Sequence, residues 1–304
     1  MRVVIALGGN ALLKRGEPLT AEAQSANVAV AARSIAEVAE EHDVIVTHGN
    51  GPQVGLLALQ AAAFDAETPW PLDLLGAESE GMIGYVIERA LINRLPDRPI
   101  ATLLTQVEVA ADDPAFAAPT KPIGPVYDAA ARDRAVRERG WPMVADGDGW
   151  RRVVPSPKPI RILEIATLRH LVAEGVLVIC AGGGGIPVIV DAGGAVHGVE
   201  AVIDKDSTAA LLARDIGADA LLLLTDVEAV FADWDGASPS SPIGETSLED
   251  LSALELDPGT MGPKVAAIRR FVEETGGLAG IGRLEDAALI LAGRAGTRLG
   301  AVPE

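Results

Sequence analysis

The sequence predicts an α/β fold, a mostly parallel sheet with helices on both faces. Two observations carry that prediction. A short apolar run ends in a glycine loop three times along the chain, and stretches with helical periodicity alternate with such runs. The composition agrees, because 49% of the 304 residues are apolar but only 3% are aromatic. A core of Ala, Val, Leu and Ile suits parallel strands covered on both sides.

In chain order, Val3 to Leu7 reads as a buried strand leading into Gly8-Gly9-Asn10. Val28, Ala31, Ile35 and Val38 recur at helical spacing. Val44 to Thr47 is the second strand, followed by His48-Gly49-Asn50-Gly51 and a helix. From Pro114 to Pro159 the alternation stops, and eight of the chain's 20 prolines fall there. A connection that long predicts a small inserted subdomain or lid, at about residues 110–160. Leu163, Ala166, Leu168 and Leu171 predict a helix, and Val176 to Ala181 predicts the third strand, ending at Gly182-Gly183-Gly184-Gly185. A lobe boundary is expected near Gly193-Gly194, dividing the chain into 1–192 and 193–304. Beyond it, Val196 to Ile203 reads as a strand, then a helix from about Ser207, a strand from Ala220 to Thr225, and a helix carrying Val265, Ile268 and Val272. Ligands of such sheets bind beyond the carboxyl ends of the strands, so the three glycine loops are expected along one edge, facing one cleft.

A net charge of -18 argues against nucleic acid or an anionic membrane as partner. An anionic substrate would need a local cluster of cations and backbone N–H groups against that field. The single cysteine, Cys180, excludes an internal disulfide, fits a reducing compartment, and reads as a small core residue. The opening apolar run stops at Gly8, and the uncharged stretch Gly175 to Val190 is short and glycine-rich for a membrane span. A soluble cytoplasmic protein is expected.

Familiar nucleotide motifs are absent. No G-x-G-x-x-G opens a helix after a strand, and none of the lysines stands in a Walker A pattern. Asp146-Gly147-Asp148-Gly149 resembles the start of a calcium loop, but Arg151 and Pro157 occupy positions that loop cannot spare, so a turn is expected. The four histidines show neither triad-like nor metal-like spacing, and His48 reads as structural. Only five of the 25 basic residues are lysine: Lys14, Lys121, Lys158, Lys205 and Lys264. Lysine binds phosphate as a point charge, so lysines kept beside glycine-rich or proline-rich turns suit phosphoryl transfer, with codon drift as the bland alternative. Glycine loops at strand ends expose backbone N–H groups to an anion. Phosphoryl transfer asks for positioning and charge cancellation, with no nucleophile required.

Several blocks together resemble the carbamate kinase family of the amino-acid kinase superfamily. They are Ala6 to Leu12, Thr47 to Gly55, Gly76 to Tyr85, Pro114 to Pro125, Trp150 to Pro157, Gly182 to Val188, Gly198 to Asp206 and Met261-Gly262-Pro263-Lys264. They run in order over nearly the whole chain. The resemblance implies an open three-layer αβα sandwich, usually a homodimer, with an acyl-acceptor lobe before a nucleotide lobe. It implies that Lys205 and Lys264 hold the transferring phosphoryl group and the ATP phosphates, with Asp206 orienting them. Gly8, Gly9, Asn10, Asn50 and Gly51 would cradle carbamate and the transferred phosphate, with Gly183 and Gly184 of the third loop beside them. Lys121 would reach in from the inserted subdomain, and Thr225, Asp226, Met261 and Gly262 would line the nucleotide pocket. Mg²⁺ would arrive on ATP or ADP, with no dedicated protein metal site. The reaction implied is ATP plus carbamate giving ADP plus carbamoyl phosphate, run toward ATP in arginine catabolism of the arginine-deiminase type.

Two departures fall on the adenine side. Gly276 to Arg283 is glycine-heavy where the family has an Ile/Thr-rich strand, and Phe231 stands in place of a frequent tyrosine. An ordinary ion pair at a helix N-terminus is the rival reading of Lys205, which is flanked by two aspartates; a solvated surface charge is the reading for Lys14, and Lys158 stays open. Two other functions stay open as well: an acyl-phosphate-forming kinase for another carboxylate, such as N-acetylglutamate, and a non-catalytic nucleotide or amino-acid sensor.

Overall fold

The computed structural model describes residues 1–12, 17–18, 20–65, 70–233, 241–257 and 259–301, without the side chains of Asn10 and Ala11. Lys14 lies outside the described residues. Among the described residues eight strands form the central sheet, in the order Glu245–Thr246, Thr297–Leu299, Leu278–Arg283, Ala220–Thr225, Arg2–Leu7, Asp43–His48, Leu177–Cys180 and Ile100–Leu103. Neighbouring pairs are parallel except Leu278–Arg283 with Thr297–Leu299.

Three layers follow from the two-residue period of a strand. In Arg2–Leu7, Val3, Ile5 and Leu7 join the core beneath helices Ala21–Ala39 and Leu72–Ile92, whereas Val4 and Ala6 join the core beneath helices Lys205–Ile216 and Met261–Thr275. Thr20 starts helix Ala21–Ala39 by accepting a hydrogen bond from the Ala23 amide at 3.2 Å, which satisfies one orphan N–H. Val28, Ala31, Ile35 and Val38 are the buried stripe that the periodicity predicts.

The proline-rich stretch contains a three-stranded antiparallel sheet of its own, Lys121–Tyr127, Gly149–Val154 and Met143–Asp146, with helix Ala129–Arg139. Its aromatic residues carry arginines, Arg132 over Trp150 at 4.2 Å and Arg152 over Trp141 at 4.2 Å. Ile123 and Val154 pack with Val54, Ala58, Leu72 and Leu75, which fixes this sheet on helices Gly51–Phe64 and Leu72–Ile92. Asp146 and Gly149 face each other across the expected turn.

Two expectations are corrected. Val196 to Ile203 is a strand only over Val196–Gly198, where it turns back antiparallel on Ile186–Val190. Asp191 makes that reversal, its carboxylate accepting the amides of Gly193 and Ala195 at 2.8 and 2.9 Å. The glycine-heavy segment after helix Met261–Thr275 is a fully paired strand, Leu278–Arg283. Its glycines make room for a neighbour, since a Cβ on Gly280 would fall 2.4 Å from Ile290 Cγ2. Ile290 supplies from the neighbouring helix the apolar bulk that the strand lacks.

Candidate active site

Arg2–Leu7, Asp43–His48 and Leu177–Cys180 are adjacent and parallel or linked in register, so their glycine loops emerge side by side at one sheet edge. The loops touch. A Cβ on Gly49 would fall 2.9 Å from the Gly9 nitrogen and 3.2 Å from Lys205 Cδ. Gly8 turns off its strand by donating to the Leu224 carbonyl at 2.7 Å, which places the first loop against Thr225. Asn10 falls in the short helix Gly9–Leu12. Asn50 precedes helix Gly51–Phe64 and leaves the helix end uncapped, because its Nδ2 donates to Ser79 Oγ at 2.8 Å. A Cβ on Gly51 would meet no described atom within 4 Å outside its own helix backbone and chain neighbours. An uncapped helix N-terminus is a ready anion seat.

Lys205 opens helix Lys205–Ile216. Asp204 caps that helix, its Oδ1 accepting the amides of Asp206 and Ser207 at 3.0 Å each. The same carboxylate takes Lys121 Nζ on Oδ2 at 2.5 Å, tying the three-stranded sheet to the helix that carries Lys205. Asp206 is 3% exposed. Its two oxygens take two lysines, Oδ1 from Lys205 at 2.5 Å and Oδ2 from Lys264 at 3.2 Å. Three lysines distant in sequence thus meet around two aspartates. The rival reading of Lys205, an ion pair at a helix N-terminus, is met by its contact with Asp206, to which Lys264 adds a second lysine from another helix. Lys158 is exposed and stands apart, its amide donating to Asp113 at 3.0 Å.

Burial works against the Lys205 ammonium, but Asp206 and Asp204 together outweigh it and hold the proton on. Burial likewise opposes the Asp206 carboxylate, and the two lysines overcome it and keep it ionised. For Lys264, burial and the neighbouring Lys205 charge win over Asp206 and lower its pKa. Two cations so close to one anion leave a net positive charge at the carboxyl edge, inside a strongly acidic protein.

Among the residues expected at the nucleotide, Thr225 ends the strand Ala220–Thr225 and donates to Asp226 at 3.0 Å. Met261 and Gly262 begin helix Met261–Thr275, one turn ahead of Lys264, and Gly262 N donates to the Asp257 carbonyl at 2.8 Å. Phe231 is buried in the short strand Val230–Phe231, paired with Pro242–Ile243. His48 is fully buried, its Nδ1 lies 3.1 Å from the Gly49 carbonyl, and burial pushes its pKa down to about 4.

Three residues in contact with the expected site escaped the sequence reading. Asp204 was visible only as a flanking charge, although Asp before a helix start is a capping signal. Ser79, which holds Asn50, and Glu80, which holds Gly182 at 2.8 Å, lie within a recognised block yet carried no distinguishing signal.

The amino acid kinase family model matches residues 1–279. A carbamate kinase of Rhizobium meliloti is 54% identical over 98% of this chain and 92% of its own. A carbamate kinase of Haemophilus influenzae is 53% identical over 98% of this chain and 96% of its own. Among solved structures, carbamate kinase from Giardia lamblia bound to AMP-PNP superposes with a TM-score of 0.88 at 39% identity, over 99% of this chain and 98% of that one.

Proposed function

The chain belongs to the amino acid kinase family, and within it to the carbamate kinases, as an ATP-dependent phosphotransferase; on that premise we propose that it interconverts ATP plus carbamate with ADP plus carbamoyl phosphate. The observation that carries this reading is the shared carboxylate: Lys205 and Lys264 on the two oxygens of Asp206, beside the Gly8-Gly9 and Gly49 loops.

In such a transfer the migrating phosphoryl group spreads charge over its equatorial oxygens, and the protein stabilises that charge by fixed cations and N–H groups. Lys205 and Lys264 supply the cations, with Asp206 holding both ammonium groups in place. Gly8, Gly9, Asn10, Asn50 and Gly51 take the acceptor and the transferred phosphate, with Gly183 and Gly184 at their side. Lys121 completes the site from the three-stranded sheet and excludes water. Thr225, Asp226, Met261 and Gly262 take the nucleotide.

The carboxylates nearest the lysines are occupied by ammonium groups, so a Mg²⁺ ion would be held through ATP oxygens, as this cation prefers. It would neutralise charge between the transferring and leaving phosphates. An acyl phosphate is a high-energy donor, and the physiological direction is toward ATP, at the end of arginine catabolism in the cytoplasm. Among the described residues no helix is long and apolar enough to cross a membrane.

The partner is a second copy of the chain. Leu74, Met82, Tyr85 and Ile92 stand 44%, 40%, 58% and 46% exposed on one stripe of helix Leu72–Ile92, beside the sheet-edge strand Ile100–Leu103 and the exposed Leu104. An apolar stripe beside a free edge strand is a surface that folds of this kind cover.

The test is ATP formation from ADP, measured with carbamoyl phosphate, acetyl phosphate and N-acetylglutamyl phosphate as donors. Turnover confined to carbamoyl phosphate supports the reading. Turnover with N-acetylglutamyl phosphate alone would replace it, and ADP binding without any turnover would make the chain a sensor.

A further inference from the structure

Glu80 is a buried carboxyl group that pairs with no cation among the described residues. It sits on helix Leu72–Ile92, 1% exposed, and its oxygens accept the Gly182 amide at 2.8 Å and the Thr105 amide at 3.3 Å. Gly182 opens the third glycine loop. The peptide before it is held as firmly, with Ala181 N donating to Thr105 Oγ1 at 3.0 Å and the Ala181 carbonyl accepting from Thr47 Oγ1 at 2.8 Å. Ala181 has φ 51°, alone among the described non-glycine residues in the left-handed region. That conformation costs an L-residue about 1–2 kcal/mol and persists only where the surroundings over-determine it, most often at functional sites.

The loop held in this way touches both sides of the site. A Cβ on Gly183 would fall 2.1 Å from Asn50 Nδ2, and one on Gly184 would fall 2.5 Å from the Ile203 carbonyl oxygen. Thr208, one turn into the helix that Lys205 opens, donates to the Gly184 carbonyl at 2.9 Å. Asn50 and the Lys205 helix therefore take their separation from the loop, and the loop takes its position from Glu80.

We propose that Glu80 is a positioning residue for phosphoryl transfer, setting the Gly182–Gly185 loop through the Gly182 and Thr105 amides that its carboxyl group accepts. The inference rests on the kinase reading given above, in which the loop and the lysines hold the transferred group. Burial raises the Glu80 pKa to about 8, against the smaller opposing pull of the Gly182 and Thr105 amides. Among the described residues the titratable groups facing it add no cation. Glu164, whose carboxylate accepts the Gln106 amide at 2.8 Å, pushes Glu80 further up. Burial keeps the Cys180 thiol protonated and His48 neutral. His48 and Glu80 flank Gly182, where a Cβ would fall 2.3 Å from the imidazole and 3.0 Å from Glu80 Cγ. Ionised Glu80 would place a negative charge behind a loop that faces anionic substrate.

The experiment measures kcat and KM for carbamoyl phosphate, with ADP, from about pH 6 to 10, for the parent chain, Glu80→Gln and Glu80→Ala. The parent is expected to lose kcat/KM about tenfold per pH unit above roughly pH 8, as one ionisation dictates. Glu80→Gln keeps the uncharged acceptor for Gly182 and gives up only the longer Thr105 contact at 3.3 Å, so it is expected to hold parent activity at pH 7 within about threefold and to lack that limb. Any limb from Lys264 remains in both. Glu80→Ala is expected to lose tenfold or more of kcat/KM at roughly pH 7, with circular dichroism reporting its fold. The same limb near pH 8 in Glu80→Gln as in the parent, or no such limb in the parent, overturns the Glu80 assignment. Folded Glu80→Ala with parent kinetics overturns it too, and if that variant does not fold, the Gln profile decides. A parent chain that never uses carbamoyl phosphate overturns the kinase reading instead.

Discussion

Lys264 Nζ lies 3.2 Å from Asp206 Oδ2, although the two residues are separated by 58 positions in the chain. The other oxygen of that carboxylate holds Lys205 at 2.5 Å, so one buried anion fixes the spacing of two ammonium groups. A phosphoryl group with its charge spread over several oxygens is suited to a pair of cations set at a constant distance.

Asp206→Asn should remove the anion that both lysines share and leave one oxygen where two held them, with Asp204 still near Lys205. Breaking a buried pair of this kind costs roughly 3–5 kcal/mol. We expect turnover to fall about a hundredfold or more, together with a clear drop in urea midpoint. A variant with parent turnover and parent midpoint contradicts the role given to Asp206.

Lys205→Ala and Lys264→Ala should each lower kcat by about a hundredfold, the scale of one lost transition-state donor. Because they share Asp206, the double variant should lose less than the product of the two single losses. Strict multiplication in steady-state assays would mean that the lysines act independently.

Lys121→Ala should behave differently. Its partner Asp204 also faces Lys205 and accepts the Ser207 amide, so the carboxylate keeps a cation and a donor when Lys121 is gone. Melting temperature is expected to stay near the parent value while activity falls strongly. Intact kinetics would leave Lys121 a purely structural tie.

His48 stays neutral in the fold down to about pH 4, whereas its ordinary value is 6.5. Between those values the unfolded chain takes up a proton that the folded chain refuses. Stability is therefore expected to fall as pH drops from 6.5 toward 4, by up to about 3 kcal/mol from this residue. Urea titrations of the parent and of His48→Gln should show a shallower acid loss in the variant; identical slopes would sink the assignment.

Tyr85→Asp, on the exposed stripe of helix Leu72–Ile92, should weaken self-association without touching the active site. Sedimentation velocity should show a dimer in the parent and a shift toward monomer in the variant. A parent that sediments as a monomer removes the second copy from the proposal.

Strands Arg2–Leu7, Asp43–His48 and Leu177–Cys180 were legible because a run of buried aliphatic residues ending in glycine is a local signal, complete within a few residues. The same holds for the helical stripe Val28, Ala31, Ile35 and Val38, and for lysines set beside turns. Strand Leu278–Arg283 was obscured because its bulk comes from Ile290, a residue outside its own run. Val196 to Ile203 misled for the opposite reason: its apolar residues suggested a longer strand than the Asp191 turn and its antiparallel partner allow.

By itself the sequence determined which segments become strands and helices, which turns expose backbone N–H groups, and which few lysines stand beside them. Only the tertiary structure decided that Lys205 and Lys264 divide the two oxygens of Asp206, that Asp204 reaches Lys121, and that Glu80 is sealed beneath Gly182. Periodicity and turn chemistry act between neighbours along the chain, whereas a charge pair or a buried acid depends on what packing brings beside it and on how much water packing removes.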